Sequence, residues 1–328
     1  MGRGGLPDDN KERRGDIMEK SCRESKGHER VEIEGRVMRL PPPADVHGFR
    51  FVGRENIMEK ALAAWTSFNG RWPLNFRLYG PPGVGKNAIV YELARMLKKG
   101  LYIMNGNEEL DAEDIACTPV MTSGGRIEYS ASPLFAAMLK GGIAFIDEIG
   151  KAPAGALSSL ASVLDDRRTL GSMHAGIEIK ADEGFLFCCA LNDTEEEGIG
   201  LPPFLDERTR PAIHVGYPSA AEMKGILNSH FSGEDELWVN VFMSEFNEEN
   251  ISPRCARDTL QYAINISKRR EGGISRLTKK DAGDLFYSLL KDMRIEKKDV
   301  KQVKKANSGL KEDLDAIFKS PNREKSVH

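Results

Sequence analysis

Between residues 31 and 218, short apolar runs alternate with stretches whose apolar residues recur every three or four positions. The first pattern predicts strands and the second helices, so the alternation predicts an α/β domain with a mostly parallel sheet. The predicted strands are "LNFRLY" (74–79), "LYIM" (101–104), "GIAFIDE" (142–148) and "EGFLFCCALND" (183–193). The third stays apolar until it ends in two carboxylates, which suits a central strand covered on both faces. After the first strand, Ile89, Leu93 and Leu97 fall on one helical face, and Gly100 supplies a stop. "SPLFAAMLKGG" predicts a short helix with Ser132 as N-cap and Pro133 in its first turn, and "APAGALSSLASVLDD" predicts another helix. "TPVMTSGGRIEYS" (118–130) and "RTLGSMHAGIEIKAD" (168–182) predict hairpins.

After Pro218 the pattern changes to helices only. "SAAE" (219–222) is a capping box, "EDELWVNVFMSEF" predicts a second helix, and Ser252-Pro253 starts a third running to about Lys268. "TKKD" (278–281) caps a fourth, with Leu285, Phe286, Leu289 and Leu290 on its apolar face. The expected organisation is a disordered charged arm (1–30), an α/β domain (31–218), a helical lid domain (219–295) and a basic, partly helical tail (296–328).

Composition adds bounds rather than structure. A hydrophobic share of 40%, a charged share of 30% and a formal charge of −3 describe an ordinary globular chain and give the whole molecule no pull toward a polyanion. From residue 260 to the end there are 17 Lys and Arg against 10 Asp and Glu. No aromatics interleave with the tail lysines as single-stranded nucleic-acid binding requires, so a solvated tail is preferred and nucleic acid is not the expected partner. The five cysteines are odd in number and lack metal-ligand spacing, which points to a reduced, cytoplasmic setting. The N-terminal stretch has no apolar core for a signal peptide, and no apolar run approaches the ~18 residues of a membrane span. His174 and His214 have no ligand partner at useful spacing, so structural roles are expected.

The chemistry concentrates in "GPPGVGKN" (80–87). Gly80, Gly83 and Gly85, with Pro81, Pro82 and Val84 between them, let a backbone wrap around phosphate before a helix N-terminus. Lys86 adds a point charge for the β- and γ-phosphates. Asn87 stands where this pattern has Ser or Thr, whose hydroxyl ligates Mg²⁺; its amide oxygen is also a hard ligand, on an arm one atom longer. Downstream, Asp147 at the end of its strand suits Mg²⁺, and Glu148 suits polarising an attacking water.

From Phe51 to Met293 the sequence resembles AAA+ ATPases, with Gly80–Lys86 as the Walker A loop and Asp147-Glu148 as the Walker B pair. "FIDEIGKAPAGALSSLASVLDDRR" is most similar to the MoxR-like, dynein-related branch, which includes CbbQ-, NorQ- and GvpN-type proteins. The resemblance implies a P-loop core with a parallel αβα sheet, followed by a small all-α lid. It implies that "FVGRE" (51–55) lies on the adenine side and that Asn192 is the sensor 1 residue between the carboxylates and the γ-phosphate. It aligns Arg208 with the arginine finger, Arg210 being close enough to compete, and puts Arg254 of "ISPRCARD" on the γ-phosphate as sensor 2. The two hairpins resemble those that line a central pore. The cofactors implied are ATP and Mg²⁺, and the assembly a homo-oligomeric ring, a hexamer. The partner implied is a client protein, in relatives often joined by a von Willebrand A domain. The expectation is a slowed but real ATPase acting as a remodelling or activating chaperone. An assembly switch with little hydrolysis and a nucleic-acid-directed ATPase stay open as alternatives.

Overall fold

The structure, a computed structural model, describes residues 29–46, 51–192, 200–231, 233, 236–245 and 251–269. The expected arm (1–30) lies outside the described residues except for Glu29 and Arg30, which the structure places in a strand, and the helix begun by "TKKD" and the basic tail also lie outside them. The chain opens with a hairpin, β1 (Glu29–Ile33) and β2 (Arg36–Leu40), then passes through α1 (Glu55–Ala64) into β3 (Phe76–Gly80). Helix α2 (Lys86–Leu97), β4 (Leu101–Asn105) and a hairpin of β5 (Cys117–Met121) and β6 (Ile127–Ala131) follow. Next come α3 (Pro133–Lys140), β7 (Ile143–Asp147), a 3-10 turn (Ile149–Lys151) and two single-turn helices, α4 (Ala154–Leu157) and α5 (Leu160–Val163). A hairpin of β8 (Thr169–Ser172) and β9 (Ile177–Lys180) precedes β10 (Leu186–Asn192), α6 (Pro203–Arg208) and β11 (Ala212–His214). Helices α7 (Ala220–His230), α8 (Glu236–Glu245) and α9 (Pro253–Arg269) close the described chain.

The main sheet runs β11-β3-β10-β7-β4, and every pairing in it is parallel. Its central strand β10 is apolar from Leu186 to Leu191 because both faces are covered, yet it still alternates. Phe187 and Cys189 enter one cluster with Phe135, Leu157 and Leu160. Cys188 and Ala190 enter the other, with Phe76, Leu78, Ile89 and Leu93. Both cysteines are fully buried, as expected for small hydrophobes; burial pushes the Cys188 thiol well up and the Cys189 thiol to about 12. A third cluster joins α7, α8 and α9 around Met223, Leu227, Trp238, Phe242 and Leu260. Ser219 caps α7 by accepting from the Glu222 amide, while the Glu222 side chain reaches back to the Ser219 amide.

Two features differ from the sequence expectation. Residues 154–163 form two short turns instead of one helix. Ser158, Ser159 and Ser162 each donate a side-chain hydrogen bond to the carbonyl three residues back, which competes with the helical ladder. In addition, β1 and β2 were not expected, and they join the β5–β6 hairpin in a second sheet of order β1-β2-β6-β5. Their sequences are largely charged, with Met38 and Leu40 buried, and Arg30 and Arg39 both pair with Glu128 of β6.

Register sets the site. Asn192 lies opposite Gly80, and Asp147 opposite Asn105, so β3, β7 and β10 end along one edge of the sheet. That carboxyl edge is where open α/β sheets place ligands. The core carries the stability: Phe145→Ala, at a fully buried position in β7, is expected to cost about 3–5 kcal/mol in denaturant unfolding. Phe68→Ala, at a largely exposed position, is expected to stay within about 0.5 kcal/mol of the parent.

Candidate nucleotide site

The loop leaves β3 through Gly80, whose φ is 150°, and turns at Gly83, whose φ is 79°. A Cβ on Gly80 would lie 2.2 Å from the Val215 carbonyl oxygen, and one on Gly83 would lie 2.6 Å from Ser252 Oγ. Glycine is required at both by backbone and by space. Gly85 then opens α2, a twelve-residue helix whose first amides face the loop.

Lys86 is 6% exposed, and its ammonium is folded back onto three acceptors. It donates to the Gly80 carbonyl (2.7 Å), the Pro81 carbonyl (2.9 Å) and Asn192 Oδ1 (2.9 Å). These bonds satisfy a buried cation and hold it where a phosphate oxygen could replace neutral acceptors with a charged one. Asn192 in turn donates from Nδ2 to Glu148 Oε1 (3.2 Å), and Lys151 Nζ donates to Glu148 Oε2 (2.8 Å). A continuous chain therefore links Lys86, Asn192, Glu148 and Lys151. The hydrogen bond from Lys151, then its charge, holds the Glu148 carboxyl below the usual carboxylate range, against an opposing effect of partial burial. Glu148 is thus ionised at neutral pH and has the acceptor lone pairs that a water would need. It sits just past the strand at φ 51°, its amide donating to Asp147 Oδ1 (2.9 Å).

Asn87 projects from the first turn of α2 and donates from Nδ2 to Asp147 Oδ2 (2.6 Å). The metal-ligand candidates Asn87 and Asp147 are therefore in direct contact. The loop, Asp147, Glu148 and Asn192 line a cavity of about 240 Å³. Phe51, Val52 and Arg54 line another part of it, and Ile226, His230, Arg254 and Arg257 of α7 and α9 also contribute. Arg254 approaches the loop through its amide, 3.4 Å from the Gly83 carbonyl oxygen. Arg208 and Arg210 do not line this cavity. Arg208 Nη1 donates to the Phe204 carbonyl (2.9 Å), and Arg210 pairs with Asp206 (2.7 Å), which also receives Arg77 of β3 (2.6 Å).

Sequence reasoning passed over Arg257 and the part played by Arg54. Arg257 is one helical turn beyond Arg254 on α9, and that spacing was the available signal. Arg54 is 8% exposed, and its guanidinium donates to the carbonyls of Gly216 (2.8 Å), Val84 (3.4 Å) and Tyr217 (3.5 Å). Its amide donates to Glu222 Oε1 (3.0 Å), so one residue ties the phosphate loop, the exit of β11 and the cap of α7. Burial lowers the Arg54 pKa and Glu222 opposes this, but a guanidinium remains charged.

The glycine cradle, the buried ammonium and the carboxylate beside a second hard-oxygen residue fit a nucleoside triphosphate with a divalent cation. Residues 75–208 match the family model of the AAA domain (dynein-related subfamily). This stretch is similar to AAA domains. The uncharacterised protein YojN of Bacillus subtilis (strain 168) is 29% identical over 211 residues, covering 60% of this chain and 69% of that protein. An uncharacterised protein of Staphylococcus aureus (strain NCTC 8325 / PS 47) is 27% identical over 179 residues, covering 53% and 67%. Among solved structures, a mutant of Thermotoga maritima RuvB aligns with a TM-score of 0.52 at 18% identity, covering 78% of this chain and 75% of that one. The likeness to RuvB is one of fold, and the chain has the P-loop AAA+ fold: a parallel α/β core with helices. AAA+ proteins generally bind ATP with Mg²⁺ and assemble into rings. Among the described residues, no helix is long and apolar enough to cross a membrane.

Glu222 makes the α/β core and the following helices sensitive to acid. Burial alone would raise its pKa; the amides of Ser219 and Arg54, with the Arg54 charge, bring it below the usual value. A depressed carboxyl contributes stability above its unfolded pKa and loses it as pH falls through the folded one. Glu222→Gln is expected to be about 1 kcal/mol less stable at neutral pH, with the gap closing below pH ~4, in melts recorded across pH.

Proposed function

We propose that this protein is an ATP-hydrolysing AAA+ ring that remodels or activates a client protein in the cytoplasm. The observation that carries the reading is the unbroken chain from Lys86 through Asn192 to an ionised Glu148 inside one glycine-cradled cavity. In this reading the loop amides and Lys86 bind the triphosphate, and its arrival draws Lys86 away from the Gly80 and Pro81 carbonyls and from Asn192. Freed from Lys86, Asn192 orients toward the terminal phosphate while still steering Glu148, which holds the attacking water and accepts its proton. Asp147 and the Asn87 amide oxygen would hold a Mg²⁺ ion, which would supply positive charge to the triphosphate. Arg254 contributes from α9, which together with α7 and α8 acts as a lid over the nucleotide.

Arg208 and Arg210 support the assembly part of the proposal. Both sit at the end of α6, away from their own cavity, where either could complete the site of a neighbouring subunit in a hexamer. Exposed Met121, Ile127 and Met173 on the two hairpins support contact with a client, possession of a von Willebrand A partner being a further part of the proposal. Those hairpins are joined to one another by Tyr129 Oη donating to the His174 carbonyl (3.3 Å). A second reading, an assembly switch with little hydrolysis, is favoured by the contact between Asn87 and Asp147.

Phosphate release by the purified oligomer tests the first reading. Glu148→Gln is expected to lower turnover about 100-fold or more while fluorescent-nucleotide binding persists. Equal rates for parent and variant would leave the switch as the better account. For the finger, Arg208→Ala and Arg210→Ala are expected to separate: one loses turnover with nucleotide affinity intact, the other keeps both. Sedimentation of each with ATP checks that assembly itself has not been lost.

A further inference from the structure

The contact between Asn87 and Asp147 carries a consequence for the order in which the site fills. Asp147 has two carboxylate oxygens, and both are already engaged: Oδ1 by the Glu148 amide and Oδ2 by the Asn87 side chain. At 2.6 Å the atom of Asn87 facing Oδ2 must be the amino nitrogen, because two acceptor oxygens at that distance would repel. The amide oxygen that could ligate a cation therefore points away from Asp147. A serine or threonine hydroxyl at this position would be a single small group able to bind metal and contact the carboxylate through the same oxygen. An amide divides those roles between two atoms and commits one of them to the carboxylate.

We propose that Asn87 and Asp147 form a clasp that closes the cation position, so that nucleotide is held without metal and the cation enters by breaking the clasp. The anchoring groups for phosphate do not depend on the clasp. Loop amides and Lys86 face the cavity independently, and Lys86 is held by acceptors other than Asp147. A charge-assisted hydrogen bond to a carboxylate is among the stronger polar contacts in a protein, and displacing it opposes metal entry by roughly tenfold or more. Asn87 is thus a residue that sets the metal requirement of the site. The inference rests on the ATP-binding reading above and deepens it, by making nucleotide capture and metal capture separate events.

The test is equilibrium binding of a fluorescent ATP analogue to the full chain, in Mg²⁺ and in EDTA, for the parent and for Asn87→Thr. The parent is expected to differ less than about threefold between the two buffers, whereas Asn87→Thr is expected to bind about tenfold or more tightly with Mg²⁺. Equal metal dependence in the two proteins, whether strong or weak, overturns the clasp. Absence of binding by the parent in either buffer overturns the ATP-binding reading instead, so the two failures are distinguishable. Should Asn87→Thr fail to fold, Asn87→Ser supplies the same hydroxyl, and a parent that needs Mg²⁺ by tenfold or more refutes the proposal without any variant.

Discussion

The burial of one ammonium group organises the site. Lys86 is held by the carbonyls at the start of its own loop and by a side chain from the neighbouring strand β10. A buried cation must be satisfied, and the nearest acceptors belong to the elements that have to meet if phosphate is to be held. The loop thereby keeps its shape, β3 and β10 are locked at their ends, and Asn192 is turned so that its amino side faces Glu148. The parallel register supplies the same convergence from beneath, with Asn192 level with Gly80. Backbone pairing and side-chain electrostatics thus lead to one geometry, which is the consistency expected of a well-specified fold.

Around this centre the structure distributes control to groups that touch more than one element. Arg54 bonds three carbonyls from two separate segments, and its amide meets the carboxylate that caps α7. Asp206 is shared between Arg77 on the loop strand and Arg210 beyond α6. Each carboxylate or guanidinium of this kind makes neighbouring elements move together or not at all. The cavity is accordingly bounded by both the α/β core and the helices that follow it.

Features written in local spacing were legible in the sequence. The glycine loop, the carboxylates ending an apolar strand, the Ser132 and Ser219 caps and both hairpins all follow from residues close together in the chain. Asn87 was legible as a departure, but not the direction of its amide, which is decided by Asp147 on another strand. Arg54 carries no spacing that separates it from a surface arginine, and Arg257 only its helical-turn spacing from Arg254; their importance comes from partners distant in sequence or from the cavity they border. The β1–β2 pair was hidden because its charged residues find partners far along the chain, Arg30 and Arg39 in Glu128 of β6 and Glu29 in Lys140 of α3. The break between α4 and α5 escaped because a run of small residues reads as helix until serine hydroxyls compete for its carbonyls.

Cys188 and Cys189 sit side by side in the strand that ends at Asn192, without contact with solvent and with thiols held protonated by burial. A protonated, inaccessible thiol does not react with alkylating agents. The central strand is therefore a clock for the opening of the core. Alkylation there proceeds only as fast as β10 separates from its neighbours, and it reports on the strand that carries Asn192 to the edge of the cavity.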